Sequence, residues 1–180
     1  MRFDHQLKTF LRILDEYPQD TPLTRFLPGF FKQNKQMGSN DRRVASRLIY
    51  NYFRLGRACM HRSADQRLFL SEYLCTSGEN LFLKHFRPDL HETLNVPLSE
   101  KIGNLQDREG FVPEEVFPFS DRLSETIGKD AFLGSFFVQP DLFIRIHPGK
   151  TGRWNPDWKK RVLLSSGWKS MAWPWTTVPS

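Results

Sequence analysis

The chain has 180 residues, 39% of them hydrophobic, and a formal net charge of +6, enough for one large domain or for one domain and part of a second. Two cysteines cannot build a disulfide framework, and no apolar run approaches the length of a membrane helix, about 20 residues. Because acidic and basic residues are mixed among the first apolar positions, we do not expect residues 1–10 to be a signal peptide. We therefore expect a cytoplasmic protein with no membrane partner.

The N-terminal part of the chain predicts two amphipathic helices. Apolar residues recur at helical spacing over residues 2–17, which favours a first helix there. The turn YPQDTP ends this helix, and Pro22 suits the first turn of a second one. Within the second helix, we expect Pro28 and Gly29 to kink or split the chain.

The third predicted helix, SNDRRVASRLIYNYFRLGRACM over residues 39–60, is the most informative stretch of the chain. At about 100° per residue, its apolar side chains share one face and its arginines the opposite face. The apolar face holds Val44, Leu48, Tyr52, Leu55 and Cys59, with Ala45 and Ile49 at its margin. The basic face holds Arg43, Arg47, Arg54 and Arg57. We expect the first face in the core and the second in solvent.

Residues 61–137 predict further helices. A helix capped by Ser63 is expected to turn its apolar residues inward and Glu72 outward. Residues 106–120 have a loop-like composition, and a last helix is expected from Ser120 or Asp121 to Phe137. Short helices are predicted around residues 80–86, 90–94 and 99–105.

The hydrophobic period changes near residue 140. Residues 141–147, DLFIRIH, alternate at strand spacing between Pro140 and Pro148. Because a single strand has no pairing partner, we expect it to begin a second domain that is not completed. The tail after Lys150 contains all five Trp and has no apolar period, so it could be a surface arm.

Two motifs stand out in the chain. The first consists of Gly38, Ser39, Asp41, Arg42, Arg43, Tyr50 and Arg54, and the second of Pro140, Leu142, Phe143, Ile144 and Arg145. In this order, the two motifs resemble the amino-terminal part of the NOL/Sun family of S-adenosylmethionine-dependent RNA cytosine-5 methyltransferases. The resemblance covers about residues 3–150 and implies a mainly α fold. It implies a NusB-like helical bundle that binds RNA over residues 1–137, followed at residues 138–150 by the first strand of an incomplete α/β methyltransferase domain.

The same resemblance implies that the chain lacks its own catalysis. The family holds S-adenosylmethionine at a glycine-rich turn and uses two cysteines, found in Pro-Cys and Thr-Cys pairs, on a separate catalytic domain. Here Cys59 follows Ala58 and Cys75 follows Leu74, and there is no such glycine-rich turn. We therefore assign no catalytic, cofactor or metal residue to this chain, and we expect the catalytic domain, if any, to be a separate partner.

Positive charge is concentrated around the third helix, since residues 32–67 carry nine basic residues and two acidic ones. Arginine suits phosphate because its planar group can form two parallel hydrogen bonds, and phosphate contacts release counterions. The resemblance to the NOL/Sun family implies that the partner is rRNA or tRNA. The candidate RNA contacts are Arg42, Arg43, Arg47, Arg54, Arg57 and Arg62.

Other interpretations stay open at this point. The arginines could form a solvated face with local ion pairs, or could meet an acidic protein as part of a helical interaction module or an antitermination-like protein. Tyr50 and Tyr52 are interpreted as packing residues. Regrouping the codons of the last ten residues by one base allows Gly-Leu-Ala-Leu-Asp-Asn-Ser-Thr, which is similar to the family's next stretch. Residues 151–180 are therefore hypothesised to be out of frame, and the chain could be a non-functional remnant.

Overall fold

The computed structural model describes residues 2–139, which belong to one compact unit, Met1–Gln139. Within this range the predicted mainly α class is confirmed, with eight α-helices and no strand. None of these helices combines the length and the hydropathy that crossing a membrane requires. The predicted strand at residues 141–147 and the tail after Lys150 lie outside the described residues.

The helices follow one another closely, and most of them match a predicted segment. The prediction over residues 2–17 is confirmed, and Pro28 lies inside a single continuous helix rather than splitting it. Pro28 and Gly29 are both exposed there, so solvent can satisfy the carbonyl that proline leaves without a donor. The helices are α1 (Arg2–Glu16), α2 (Leu23–Gln33), α3 (Ser39–Arg54), α4 (Ala64–Cys75), α5 (Leu81–Phe86), α6 (Pro88–Glu92), α7 (Leu98–Glu109) and α8 (Lys129–Ser135).

Helix α3 ends earlier than the sequence predicts. The expected helix over residues 39–60 stops at Arg54, because Gly56 (φ 55°) and Cys59 (φ 56°) in the following turn adopt left-handed backbone conformations. Consequently Arg57 does not share a helical face with Arg43. Within α3 the predicted apolar face is confirmed for Ala45, Leu48, Ile49 and Tyr52, which are buried, whereas Val44 is half-buried. Leu55 and Cys59 are buried as predicted, but they lie in the turn after the helix and not on its face.

Helix α4 is the centre of this unit. It packs against α1, α3, α5 and α7, and eight consecutive residues, Arg67–Leu74, are buried. A helix buried on all sides has no solvent face. The prediction that Glu72 points outward is therefore wrong, since this carboxylate is fully buried.

Arg67, at the start of this buried run, holds the turn that follows α3. Its guanidinium group donates hydrogen bonds to the Gly56 carbonyl (2.8 Å), the Ala58 carbonyl (3.2 Å) and the Tyr52 hydroxyl (2.6 Å). It also lies over the Tyr52 ring, 4.7 Å from the centroid. The buried charge is thus satisfied by the turn itself, as a buried arginine requires.

The C-terminal end of α4 has a second buried cation. Lys101 of α7 is buried, and its ammonium group donates to the carbonyls of Tyr73 and Thr76. These carbonyls belong to the end of α4, where the helix has no further backbone donors for them. Burial lowers the pKa of Lys101. Lys101 therefore fastens α7 to the central helix.

The segment after α7 is less helical than predicted. Helix α7 extends to Glu109, so the predicted loop over residues 106–120 begins later, and it contains a 3-10 helix at Pro113–Val116. The single helix expected over residues 120–137 is wrong, because a 3-10 turn at Ser120–Arg122 is separated from α8 by non-helical residues. The chain becomes extended at Leu123, directly after this turn, and Gly128 is again extended immediately before α8.

Replacement of Gly56 by alanine is expected to destabilise the fold strongly. A Cβ at Gly56 would lie 2.0 Å from the Val116 carbonyl oxygen. The positive backbone φ of Gly56 is also one that residues with a side chain rarely adopt. We expect Gly56→Ala to lower the free energy of unfolding by about 2 kcal/mol or more, as measured by urea denaturation.

Gly103→Ala provides the matched control. Gly103 lies within α7, and a Cβ there meets nothing within 4 Å. Because alanine is the better helix former, this variant is expected to be more stable by up to about 1 kcal/mol. Equal stability of the two variants would contradict the tight approach of Gly56 to the 3-10 helix.

Candidate nucleic-acid interface

Three of the six candidate arginines project from the exposed side of α3. Arg43 and Arg47 are exposed and Arg54 is half-buried. At 3.6 residues per turn, these three positions fall within about 40° of one another around the helix axis. Helix α3 contains a single acidic residue, Asp41, which lies in the first turn on another side of the helix. The exposed side of α3 is therefore basic over most of its length.

Arg43 and Arg57 are the least constrained of the candidates. Arg43 is exposed and donates one hydrogen bond, of 2.9 Å, to the Asn40 side chain. Arg57 is exposed in the turn after α3, and its backbone N–H donates to the Glu115 carbonyl at 2.9 Å. The Arg57 side chain has no partner within residues 2–139. Both guanidinium groups can bind an anion without breaking an internal ion pair.

Arg47 has a second task, because it is the cation next to the buried Glu72. One guanidinium nitrogen lies 3.0 Å from Glu72 Oε2, while the Arg47 side chain remains 45% exposed. The amides of Asn51 and Asn80 donate to the same carboxylate at 2.7 and 2.9 Å. Three donors thus satisfy Glu72, and Arg47 connects this buried network to the surface.

Arg54 lies at the C-terminal end of α3, beside the last residue that the structure describes. It donates a hydrogen bond of 2.8 Å to the Gln139 side chain. It also lies next to Cys75 and favours the thiolate there, but burial dominates and raises the pKa of Cys75 to about 12. The Arg54 guanidinium therefore lies near Gln139 and Cys75, with no ion pair to an acid within residues 2–139.

Arg42 and Arg62 are engaged elsewhere. Arg42 is half-buried and donates to the Met37 carbonyl at 2.9 Å, which closes the turn before α3. Arg62 forms a 2.9 Å ion pair with Glu109, and Arg87 pairs with the other oxygen of this carboxylate at 2.7 Å. Arg62 accordingly belongs to a separate ion-pair cluster that joins the loop before α4 to the end of α7.

Two exposed aromatic residues of α3, Tyr50 and Phe53, lie near the arginines. The sequence predicts Tyr50 to be a packing residue, but it is 41% exposed on the basic side of the helix, whereas Tyr52 is buried as that interpretation requires. Phe53 is equally exposed, and its ring contacts those of Tyr17 and Tyr52 at centroid distances of 5.4 Å. Basic and aromatic side chains interleaved on one surface are the chemistry that single-stranded nucleic acids bind.

Sequence reasoning missed the polar network behind this surface. Asn51 and Glu72 look like solvent-facing residues of separate helices, and only their hydrogen bond across the packed helices shows their role. Only the cap could have been predicted, because asparagine is a favoured residue just before a helix. Asn80 does cap α5, since its side chain accepts a hydrogen bond from the Leu83 N–H at 3.1 Å. Nothing in the sequence indicates its hydrogen bond to Glu72.

The residues that the structure describes do not gather a metal-binding group, since no cluster of three or more His, Cys, Asp or Glu side chains lies within residues 2–139. Comparison with protein-family models, curated proteins and solved structures found no match to this chain. The resemblance to the NOL/Sun family therefore stays an expectation, and the six candidate arginines stay predicted RNA contacts.

Loss of Arg47 is expected to destabilise the fold, unlike loss of its neighbour Arg43. Arg47→Ala leaves a buried carboxylate without its cation, which is costly, although the half-exposed position lets water replace part of the interaction. We expect a decrease of about 1–3 kcal/mol in the free energy of unfolding, against less than about 0.5 kcal/mol for the control Arg43→Ala. Urea denaturation measures both, and equal stabilities would show that Glu72 does not need Arg47.

Both cysteines are expected to resist alkylation in the folded protein. Burial raises the pKa of Cys59 as well as that of Cys75, and only the thiolate reacts. At pH 8.5 we expect iodoacetamide to modify these thiols at least about 100-fold faster in urea than in buffer, because unfolding restores an ordinary thiol pKa. Peptide mass spectrometry measures the modification of each cysteine. Rapid modification of the folded chain would show that the thiols are not protected by burial.

Proposed function

We propose that this chain is an RNA-binding protein whose described part, residues 2–139, acts as a NusB-like accessory domain for RNA cytosine-5 methylation in the cytoplasm. The carrying observation is a set of four arginines, defined here as the basic face: Arg43, Arg47 and Arg54 on the exposed side of α3, and the exposed Arg57 in the turn after it, which does not continue their helical face. The RNA would be rRNA or tRNA, as the resemblance to the NOL/Sun family implies.

The charge distribution supports a polyanion partner. Within residues 2–139, the acid that forms an ion pair with the basic face is Glu72, which is fully buried and paired with Arg47. No other acidic side chain forms an ion pair with Arg43, Arg54 or Arg57 within residues 2–139. The face therefore keeps most of its positive charge, so an approaching phosphate chain gains both electrostatic attraction and released counterions.

The chemistry of methylation would belong to another domain. In the NOL/Sun family a cysteine thiolate attacks cytosine, and S-adenosylmethionine supplies the methyl group. Neither cysteine fits that role, because burial raises both thiol pKa values. None of residues 2–139 is assigned to S-adenosylmethionine. The part of the chain that the structure describes would bind RNA and orient it, and a catalytic domain would carry out the transfer.

The salt dependence of RNA binding tests this proposal. Arg43→Ala/Arg57→Ala removes the two arginines that have the fewest internal contacts. If both contact phosphates, the slope of log K against log salt should become shallower by about 1.4 to 1.8. The measurement is fluorescence anisotropy of labelled tRNA or an rRNA fragment with the full chain at several salt concentrations.

Lys84→Ala/Arg108→Ala is the matched control, because it removes the same charge from two exposed positions off the basic face. This variant is expected to keep the slope of the unmodified chain. Equal losses in both double variants would mean that net charge alone attracts the RNA. If an acidic protein binds the basic face and RNA does not compete with it, the interaction-module alternative replaces the proposed function.

A further inference from the structure

Tyr50 is an exposed aromatic ring placed between two arginines whose guanidinium groups are held away from it. Its side chain is 41% exposed and makes no ring contact, cation–π contact or hydrogen bond within residues 2–139. Arg47 precedes it by three residues and Arg54 follows it by four, which puts their Cβ atoms about 5–6 Å from that of Tyr50. The ring is therefore open to a ligand and has a cation on each side.

The two flanking cations each have a partner other than the ring. Arg47 pairs with the buried Glu72 at 3.0 Å, and Arg54 donates a hydrogen bond of 2.8 Å to the exposed Gln139 side chain. A free arginine at either position could lie over the tyrosine ring and occupy its face. Because both groups are held elsewhere, the Tyr50 ring and the two charges remain available together.

This arrangement fits one form of RNA better than the other. The bases of a duplex are stacked on each other, and an A-form helix displays mainly phosphates and 2′-hydroxyls to a protein. An unpaired nucleotide can instead stack its base on an aromatic ring while its two phosphates meet the neighbouring cations. Phe53, three residues along the same side of α3, offers a second ring for an adjacent base.

We propose that the basic face binds an unpaired segment of RNA, with one base stacked on Tyr50 and the adjoining phosphates at Arg47 and Arg54. This inference rests on the proposed RNA-binding function and specifies its ligand. Tyr50 acts as the stacking platform, and the two arginines align the strand along α3. The Glu72 network contributes by keeping Arg47 in place.

Binding of matched single-stranded and duplex RNA tests this inference. The probes are fluorescein-labelled 12-nucleotide oligouridylate and its duplex with oligoadenylate, titrated with the full chain. Tyr50→Ala is expected to weaken binding of the single strand about fivefold or more, and to change binding of the duplex less than about twofold. Tyr50→Phe keeps the ring and is expected to bind the single strand like the unmodified chain.

Phe119→Ala is the control for loss of an exposed aromatic ring elsewhere, since Phe119 is 53% exposed in the segment before α8. Unchanged single-strand binding by Tyr50→Ala, or equal weakening for both probes, would overturn the stacking role. If Arg43→Ala/Arg57→Ala still weakens binding in that case, the proposed function stands without the stacking. If the unmodified chain binds neither probe, nor the tRNA and rRNA used above, the proposed function and the inference both fail.

Discussion

The buried carboxylate of Glu72 determines how the helices around it are positioned. Glu72 lies on α4, where eight residues in succession are buried, so its charge has no direct access to water. A buried charge is tolerated only with good hydrogen bonds and an opposite charge nearby. Asn51 and Arg47 come from α3 and Asn80 from the start of α5, so one carboxylate joins three helices. Because these donors are one turn apart on α3, their contact fixes the rotation of that helix and the direction of its basic face.

The start of α4 buries a cation instead, and neutral oxygen atoms rather than a carboxylate accept its hydrogen bonds. Arg67 brings a cation into the interior, and the carbonyls of Gly56 and Ala58 receive it. Those carbonyls are accessible because the chain leaves the helical conformation at this turn, where Gly56 has a positive φ. Within this turn, Gly56 packs against the Val116 carbonyl, which leaves no room for a side chain at position 56. The end of α3, the beginning of α4 and the 3-10 helix at Pro113–Val116 therefore form one interdependent contact.

Local signals explain what the sequence could and could not predict. Helical spacing predicts α1 and the buried face of α3, since both helices keep one side in solvent. The same rule fails for Glu72, because a single sequence does not reveal that α4 is surrounded by other helices. It also extends α3 beyond Arg54, since the positive φ of Cys59 depends on tertiary packing rather than on residue type. For the candidate site, periodicity places Arg43, Arg47 and Arg54 on one side, whereas the exposure of Tyr50 and the engagement of Arg62 become visible only in three dimensions.

The basic residues of this region divide between two physical roles, and the division changes what the local charge means. Arg42, Arg47, Arg62 and Arg67 each bind a carbonyl or a carboxylate of the chain, so part of the positive charge between residues 32 and 67 serves the fold. Arg47 belongs to both groups, because it neutralises Glu72 and still exposes nearly half of its side chain. In the proposed RNA complex, a cation held in this way would lose little conformational entropy on meeting a phosphate, although Glu72 offsets part of its charge. The ion pair therefore fixes the position of Arg47 at the surface, while Arg43 and Arg57 carry charge that no internal ion pair offsets within residues 2–139.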